Sequence, residues 1–180
     1  MEKYLYGAAV QGIQNFIFQT NELKDIVGAS ELVEDICTNL FQEAVGKKKW
    51  NEKNRLITAA GNVKYLFDTK EECIDVVRNF PRIAMTNAPG ITISQAVVAI
   101  KDDDKRDLVD AINELEAKLR VQRNKSNKSL LIGRLGLKRS TKTGFPITHK
   151  KGEELLDEST FAKRESNNTI QLCKIGRAHV

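Results

Sequence analysis

The sequence is poor in the residues that build metal sites and disulfide frameworks. It has three cysteines, Cys37, Cys73 and Cys173, which lie far apart with no Cys-x-x-Cys pair. An odd number at such spacing supports neither a disulfide framework nor a zinc site, and Cys37 and Cys73 are interpreted as small apolar residues on helices. His149 is interpreted as an isolated histidine, and one histidine alone does not make a triad or metal site. We therefore predict no metal ligands and no catalytic residues in this chain.

Long apolar runs are also missing. No stretch approaches the roughly 18 apolar residues of a membrane span. The first residues, Met1 to Tyr4, lack the charged-then-apolar layout of a signal peptide. The simplest expectation is a cytoplasmic protein with no membrane partner.

Acidic residues are absent from one long window of the chain. Residues 117–152 contain eleven Lys or Arg and no Asp or Glu, whereas the whole chain carries a net charge of only +5. Such a local basic patch is the usual footprint of a phosphate backbone, although a solvated basic face or a flexible loop has the same composition. The candidate RNA-binding residues are Arg120, Arg123, Lys125, Lys128, Arg134, Lys138, Arg139 and Lys142. Few aromatic residues interrupt them, so sequence-specific reading of bases is not expected.

Hydrophobic periodicity predicts an α+β fold. Apolar or β-branched runs predict strands at residues 3–10, 55–60, 63–67 and 91–100, with Gly61-Asn62 as a tight hairpin turn. Three-and-four spacing predicts helices from residue 29 and from residue 105, and a capping box at residues 69–72 starts another between them. The order β-α-β-β-α-β is the split βαβ arrangement of ferredoxin-like domains. Because that fold hosts many functions, the site must decide among them.

The positions that carry chemistry in a catalytic palm hold no carboxylate in this sequence. Such palms place acidic residues on the first strand and on the hairpin between the second and third strands, where they bind two divalent cations. Here the strand offers Ala8 and Ala9, and the hairpin reads Ala60-Gly61-Asn62-Val63. An active stand-alone nucleotide cyclase conflicts with these residues.

The segment after the first strand resembles the large subunit of type III CRISPR effector complexes, the CRISPR polymerase family. The matching residues are Gly12-Ile13-Gln14, Phe16-Ile17, Leu23-Lys24, Ile26, Gly28-Ala29-Ser30 and Leu32. The hairpin at Ala60-Gly61-Asn62 is similar to the degenerate turn of that family's first palm, and Thr143-Gly144-Phe145-Pro146 resembles a segment that follows a palm. The chain lacks the family's His-Asp nuclease pair and the cysteine pair of its zinc site.

The resemblance implies a ferredoxin-like palm of the nucleotide-cyclase and polymerase type that does no chemistry itself. It would form one side of an ATP site for cyclic oligoadenylate synthesis, completed by a second palm of the same chain. The implied nucleotide-binding residues are Gly28, Ala29, Ser30, Gly61 and Asn62. For the first three, a helix N-terminus would bind phosphate; the alternative is that Ser30 caps the helix and Gly28 relieves a turn. Gly61-Asn62 is equally compatible with an ordinary turn.

The same resemblance sets the expected partners and cofactors. Guide and target RNA and other effector subunits are expected partners, and ATP and Mg²⁺ belong to a full-length nucleotidyltransferase rather than to this inactive fragment. The alternative function is a ferredoxin-like RNA-binding module of a ribonucleoprotein complex.

The expected organisation has three parts. Residues 1–126 form the palm, residues 127–174 a basic extension that starts the region between two palms, and residues 175–180 resemble a translated sequencing adapter. On that reading the natural protein continues past Lys174 and this chain is its N-terminal portion.

Overall fold

A four-stranded antiparallel sheet forms the centre of the molecule. The computed structural model describes residues 2–100, 105–125 and 136–166. The strands are β1 (Lys3–Gln11), β2 (Arg55–Ala59), β3 (Asn62–Phe67) and β4 (Thr92–Ile100), in the order β2-β3-β1-β4. The predicted α+β class is confirmed, and all strand pairs of the sheet are antiparallel.

Helices cover both faces of this sheet. After β1 come α1 (Ile13–Ile17), α2 (Leu23–Asp35), a π-helical turn (Ile36–Leu40) and α3 (Phe41–Val45); later come α4 (Lys70–Asn87) and α5 (Lys105–Arg123). A short 3-10 turn, Glu52–Asn54, leads into β2. Thr69 caps the start of α4 as predicted, because its side chain accepts a hydrogen bond from the backbone N–H of Glu72, which is one half of a capping box.

Strand β1 lies inside the sheet between β3 and β4, and six of its nine residues are buried. Tyr6 belongs to an aromatic cluster with Phe41, Phe67 and Phe80 on the face covered by the helices between β1 and β4. The opposite face packs on α5, where Leu5 contacts a cluster that includes Leu115. A short continuous apolar run is what a strand covered on both faces requires.

Two predicted boundaries are wrong. The helix predicted from residue 29 begins at Leu23, because its first two turns bury the polar Asp25 and leave Leu23 exposed, which hides the apolar period. The hairpin turn is Ala60-Gly61, with φ of 51° and 77°, rather than Gly61-Asn62. Positive φ at both central residues fits a two-residue turn between twisted strands, and Asn62 is already the first residue of β3.

The region predicted as a basic extension contains ordered elements. A hairpin of β5 (Ile147–Lys151) and β6 (Glu154–Asp157) is followed by α6 (Glu158–Ser166), which packs on α2. Lys128, Arg134 and the adapter-like residues 175–180 lie outside the described residues. Within the described ranges, no helix is both long and apolar enough to cross a membrane.

Candidate functional site

The end of β1 and the β2–β3 hairpin meet where a catalytic palm presents its carboxylates. Ala9 lies directly across from Asn62, and Ala8 lies across from Val63. The backbone N–H of Val10 donates to the carbonyl of Gly61 at 2.8 Å and ties the hairpin to the strand. Ala8 and Ala9 are almost fully buried, so the exposed amide of Asn62 is the polar group offered at this position. Among the described residues, no group of three His, Cys, Asp or Glu is placed to bind a metal ion.

The start of α1 explains the Gly12-Ile13-Gln14 motif. Gly12 has a left-handed conformation, with φ of 63°, which turns the chain from β1 into α1. A Cβ atom on Gly61 would lie 2.4 Å from the Cδ1 of Ile13, so the hairpin and Ile13 are in close contact. Glycine at residue 61 therefore permits both the positive φ of the turn and this approach.

A shallow cleft of about 450 Å³ lies over this junction, and we call it the hairpin cleft. Its lining residues are Val10, Gln11, Gly12, Ile13, Gln14, Asn15, Asn62 and Arg123. The predicted nucleotide-binding residue Asn62 and the predicted RNA-binding residue Arg123 therefore lie at the same cleft. Four amide side chains and one guanidinium suit an anionic or strongly polar ligand.

Gly28, Ala29 and Ser30 do not lie at a helix N-terminus. They are in the second turn of α2, where their N–H groups are inside the helix, and the Ser30 hydroxyl donates to the carbonyl of Ile26 at 3.0 Å. Gly28 and Ala29 are buried. The expectation of a phosphate site at a helix start is wrong here because the helix begins at Leu23, five residues earlier. Nucleotide binding by these three residues stays a prediction, but it is no longer supported by a position at a helix N-terminus.

The candidate RNA-binding residues fall into two groups. Arg120, Arg123 and Lys125 are exposed at the end of α5. Lys138, Arg139 and Lys142 line a different cavity, of about 320 Å³, which also contains Glu153 and Glu154. Two members of this second group already have partners within the chain: Lys142 pairs with Glu22, and Arg139 donates to the carbonyl of Gly144 at 2.9 Å.

A buried polar cluster that sequence reasoning missed joins α6 to α2, and we call it the α6 anchor. The Nε of Arg164 donates to Oδ1 of Asp25 at 2.7 Å, and a second guanidinium nitrogen donates to Glu22 at 3.0 Å. Arg164 also contacts Glu154. The Thr20 hydroxyl donates to the other Asp25 oxygen at 2.7 Å. Asp25 is fully buried, so these donors replace the water it loses.

Lys163 extends the anchor to α1. Its Nζ donates to the carbonyl of Phe16 at 2.7 Å and to Oε1 of Gln19 at 2.8 Å, and it lies 4.2 Å from the centroid of the Phe16 ring. Burial lowers the pKa of Lys163 to about 8, against the opposing influence of Asp157 and Asp25. Burial alone would also lower the pKa of Arg164, but its hydrogen bonds with Asp25 and Glu154 raise it. No sequence pattern reveals the Lys163 contact, because 147 residues separate it from Phe16.

Most of the remaining side chains considered in the sequence analysis pack or form hydrogen bonds within the chain. The Thr143 hydroxyl, in the segment that resembles a post-palm motif, donates to Asp157 at 2.8 Å. Cys37 and Cys73 are buried as expected, and burial raises the pKa of each thiol to about 11. Phe16 is a core residue, whereas Phe18 is mostly exposed.

The described residues form an α+β fold with a four-stranded antiparallel sheet, and Ala8, Ala9 and Asn62 offer no carboxylate at the end of β1. No family model and no curated protein matches the sequence. Solved structures match the fold, and the three named below each align with 67% of this chain. The apo Csm1–Csm4 cassette matches with a TM-score of 0.52 and 16% identity, and the Csm1–Csm4 subcomplex of the type III-A CRISPR-Csm interference complex with 0.51 and 19%. The cassette in complex with one ATP matches with a TM-score of 0.50 and 16% identity.

These matches identify the fold as Csm1-like. The predicted resemblance to the large subunit of type III CRISPR effector complexes is thereby confirmed at the level of the fold. The chain spans 18% of the length of each of these solved chains.

Proposed function

We propose that this chain is the non-catalytic first palm of a CRISPR-polymerase-like antiviral protein and forms one wall of an ATP site. The observation that carries the proposal is the pairing of Ala9 with Asn62 beside the hairpin cleft. A palm needs carboxylates there to hold its two cations, and this one offers a methyl group and an amide. The chain therefore supplies surface for the nucleotide, while metal binding and phosphoryl transfer belong to a second palm.

The sheet topology supports the ferredoxin-like assignment within this proposal. Helices connect β1 to β2 and β3 to β4. In the strand order β2-β3-β1-β4, the two strands of each βαβ unit have one other strand between them. That is the arrangement of two interleaved split βαβ units.

The solved relatives also guide the proposal for partners. They are complexes of Csm1 with Csm4, one of them holding ATP. We propose by analogy that this palm works in the cytoplasm, within an effector assembly and opposite a second palm. In that assembly the full-length protein would use ATP and Mg²⁺ to make cyclic oligoadenylate.

An RNA-recognition-module mode of binding is disfavoured by the position of α5. Such modules stack bases on aromatic residues of an open sheet face. Here α5 covers that face, and a Cβ on Gly7 of the central strand would lie 2.6 Å from Leu115 of the helix. An RNA partner would have to bind elsewhere on the chain.

The first experiment titrates the 180-residue chain with ATP and follows amide chemical shifts by NMR. We expect weak binding with shifts around residues 10–15, residue 62 and residue 123. Asn62→Ala should weaken binding about threefold or more, which is the loss of one hydrogen bond. Asn113→Ala is the matched control, because Asn113 is an exposed amide on α5 outside the hairpin cleft.

The second experiment incubates the chain with ATP and Mg²⁺ and analyses the products by chromatography. We expect neither linear nor cyclic oligonucleotides. Synthesis by this chain alone would refute its non-catalytic role, and shifts confined to other surfaces would refute the position of the ATP site.

A further inference from the structure

A second cavity continues from the hairpin cleft along the outer strand of the sheet. It has a volume of about 790 Å³ and shares Gln11 and Arg123 with the cleft. Its other polar lining residues are Thr92, Ser94 and Gln95 of β4 and Gln122 and Lys125 at the end of α5. We call the two cavities together the β4 trough.

The charge of the trough is of one sign. Arg123 and Lys125 line it, and none of its described lining residues is Asp or Glu. Both cations are exposed, and neither forms an ion pair with a described residue. By contrast, Lys118 on the same helix pairs with Glu114 at 2.7 Å, and Lys142 pairs with Glu22. Arg120, Lys138 and Lys150 also form no ion pair with a described residue, but only Arg123 and Lys125 line this trough.

The local structure holds these groups in place. The backbone N–H of Lys125 donates to the carbonyl of Gln122 at 3.2 Å, which fixes the turn after α5. The amide of Gln11 donates to the Ser94 hydroxyl at 3.1 Å and links the floor of the cleft to β4. Ser94 accepts this bond and keeps its own proton available for a ligand oxygen. The C-terminal end of α5 carries a partial negative charge of about half an elementary charge, which repels an anion. The two full positive charges of Arg123 and Lys125 exceed this partial charge.

We propose that the β4 trough binds the sugar-phosphate backbone of a single-stranded oligonucleotide, which reaches the hairpin cleft at Arg123. Arg123 lines both cavities and Lys125 lines the larger one, so the trough offers two cations to a phosphate backbone, and each cavity alone is already large enough for one small ligand. The hydroxyl and amide groups that line the same cavities suit ribose and phosphate oxygens. The described lining has no aromatic residue, so bases are not stacked and sequence is not read.

The test measures binding of fluorescent RNA strands of about twelve nucleotides, all uridine or all adenosine, by anisotropy between about 50 and about 300 mM salt. Arg123→Gln and Lys125→Gln should each weaken both RNAs severalfold at low salt. Each should also reduce the slope of log affinity against log salt by about 0.7, the value for one phosphate contact on a single strand. Arg120→Gln is the matched control, because Arg120 lies one turn earlier on the same helix, is exposed, and does not line the trough.

Several outcomes would overturn the proposal. An effect of Arg120→Gln equal to that of Arg123→Gln would show diffuse attraction to the basic helix end, and unchanged slopes in all variants would place RNA elsewhere. A glutamate decapeptide that competes as well as RNA would indicate an acidic peptide as the ligand instead.

The trough proposal rests partly on the proposed function, because the hairpin cleft is the wall assigned to ATP. Lys125 lies outside that cleft, so Lys125→Gln should lower RNA affinity and leave ATP binding unchanged. If ATP fails to bind while the RNA slopes change as expected, the proposed function falls and the trough stands. The reverse pattern refutes the trough alone.

Discussion

Two residues whose neighbours come from distant parts of the chain, Gly61 and Lys163, control the surroundings of the cleft. Gly61 lies in the turn that carries Asn62 and touches Ile13 at the start of α1. Lys163 holds the last turn of α1 through the carbonyl of Phe16. Substitution of either residue should therefore change the position of α1, the short helix that supplies Gln14 and Asn15 to the cleft.

Gly61→Ala should lower the free energy of unfolding by about 2 kcal/mol. About 1 kcal/mol comes from a side chain at positive φ, and the rest from displacing Ile13. Gly152→Ala is the control, since Gly152 also has positive φ, of 63°, but nothing lies within 4 Å of its added Cβ. Urea denaturation of both variants measures the difference, and equal losses would contradict the role given to the Ile13 contact.

Lys163 should make the stability of the protein depend on pH. Its pKa is about 8 in the folded chain, whereas the ordinary pKa of a lysine side chain is 10.5. The unfolded state therefore binds the proton more strongly, and the contribution of Lys163 to stability rises as the pH increases from about 8 to about 10.5. Relative to Lys163→Met, the wild type should gain about 2 kcal/mol between pH 7 and about 9.5.

Urea denaturation of both proteins across this pH range measures that gain. The buried thiols Cys37 and Cys73 titrate in both proteins, so their effect cancels in the comparison. A difference that does not change with pH would show that the ammonium group is not desolvated in the folded state.

At the scale of elements, α6 and α2 are joined by charged groups instead of an apolar seam. Asp25 and Arg164 are both buried, and Glu22 and Glu154 surround the same guanidinium. Such a cluster adds little net stability over an apolar contact, but it is sensitive to the loss of one partner. It also requires one particular alignment of the two helices.

Arg164→Met should destabilise the protein by about 3 kcal/mol, because Asp25 is left charged and buried without its main partner. Asp25→Asn combined with Arg164→Met should recover at least half of that loss. Thermal or urea unfolding of Arg164→Met, Asp25→Asn and the double variant provides the measurement, and a double variant as unstable as the sum of the two single effects would contradict a direct coupling. Lys151→Met is the control, because it removes only an exposed ion pair between Lys151 of β5 and Glu165 of α6. It should lower the free energy of unfolding by less than about 1 kcal/mol.

Elements with an apolar stripe were predictable from sequence, and those held by polar contacts were not. Helix α5 is present over Lys105–Arg123, within the region where a helix was expected, because Leu115 and Leu119 form a regular stripe against the sheet. The start of α2 was missed because Thr20 and Asp25 are buried polar residues, which a periodicity argument assigns to the surface. At the site, Asn62 follows from the hairpin pattern, whereas the approach of Arg123 depends on where α5 ends relative to β1.

At the scale of the whole molecule, the structure consists of a sheet domain and the smaller β5–β6–α6 unit, connected by the α6 anchor. The sheet domain has two apolar clusters of its own, one on each face. The smaller unit contributes Ala162 to the first of them as a partly buried residue. Cooperation between the two parts therefore depends mainly on the ion pairs and hydrogen bonds of the anchor.

Hydrogen exchange should reveal that dependence. In the wild type, amides of α6 and α2 should open with similar free energies, because breaking the anchor exposes both. In Arg164→Met the protection of α6 should fall by about 2 kcal/mol more than the protection of β1. A uniform loss over both would show that the smaller unit and the sheet unfold as one body without the anchor.

The π-helical turn at Ile36–Leu40 has a consequence for how this chain is aligned with other sequences. A π turn closes its hydrogen bonds one residue later than an α turn and so contains an extra residue. Its Ile36, Cys37 and Leu40 are all buried, so the widened turn lets every one of them reach the core before α3 begins. A relative with a regular α-helix here would be one residue shorter at this point. The gap in an alignment belongs within residues 36–40, and placing it in the loop before β2 would shift Phe41 and the rest of α3 onto the wrong face.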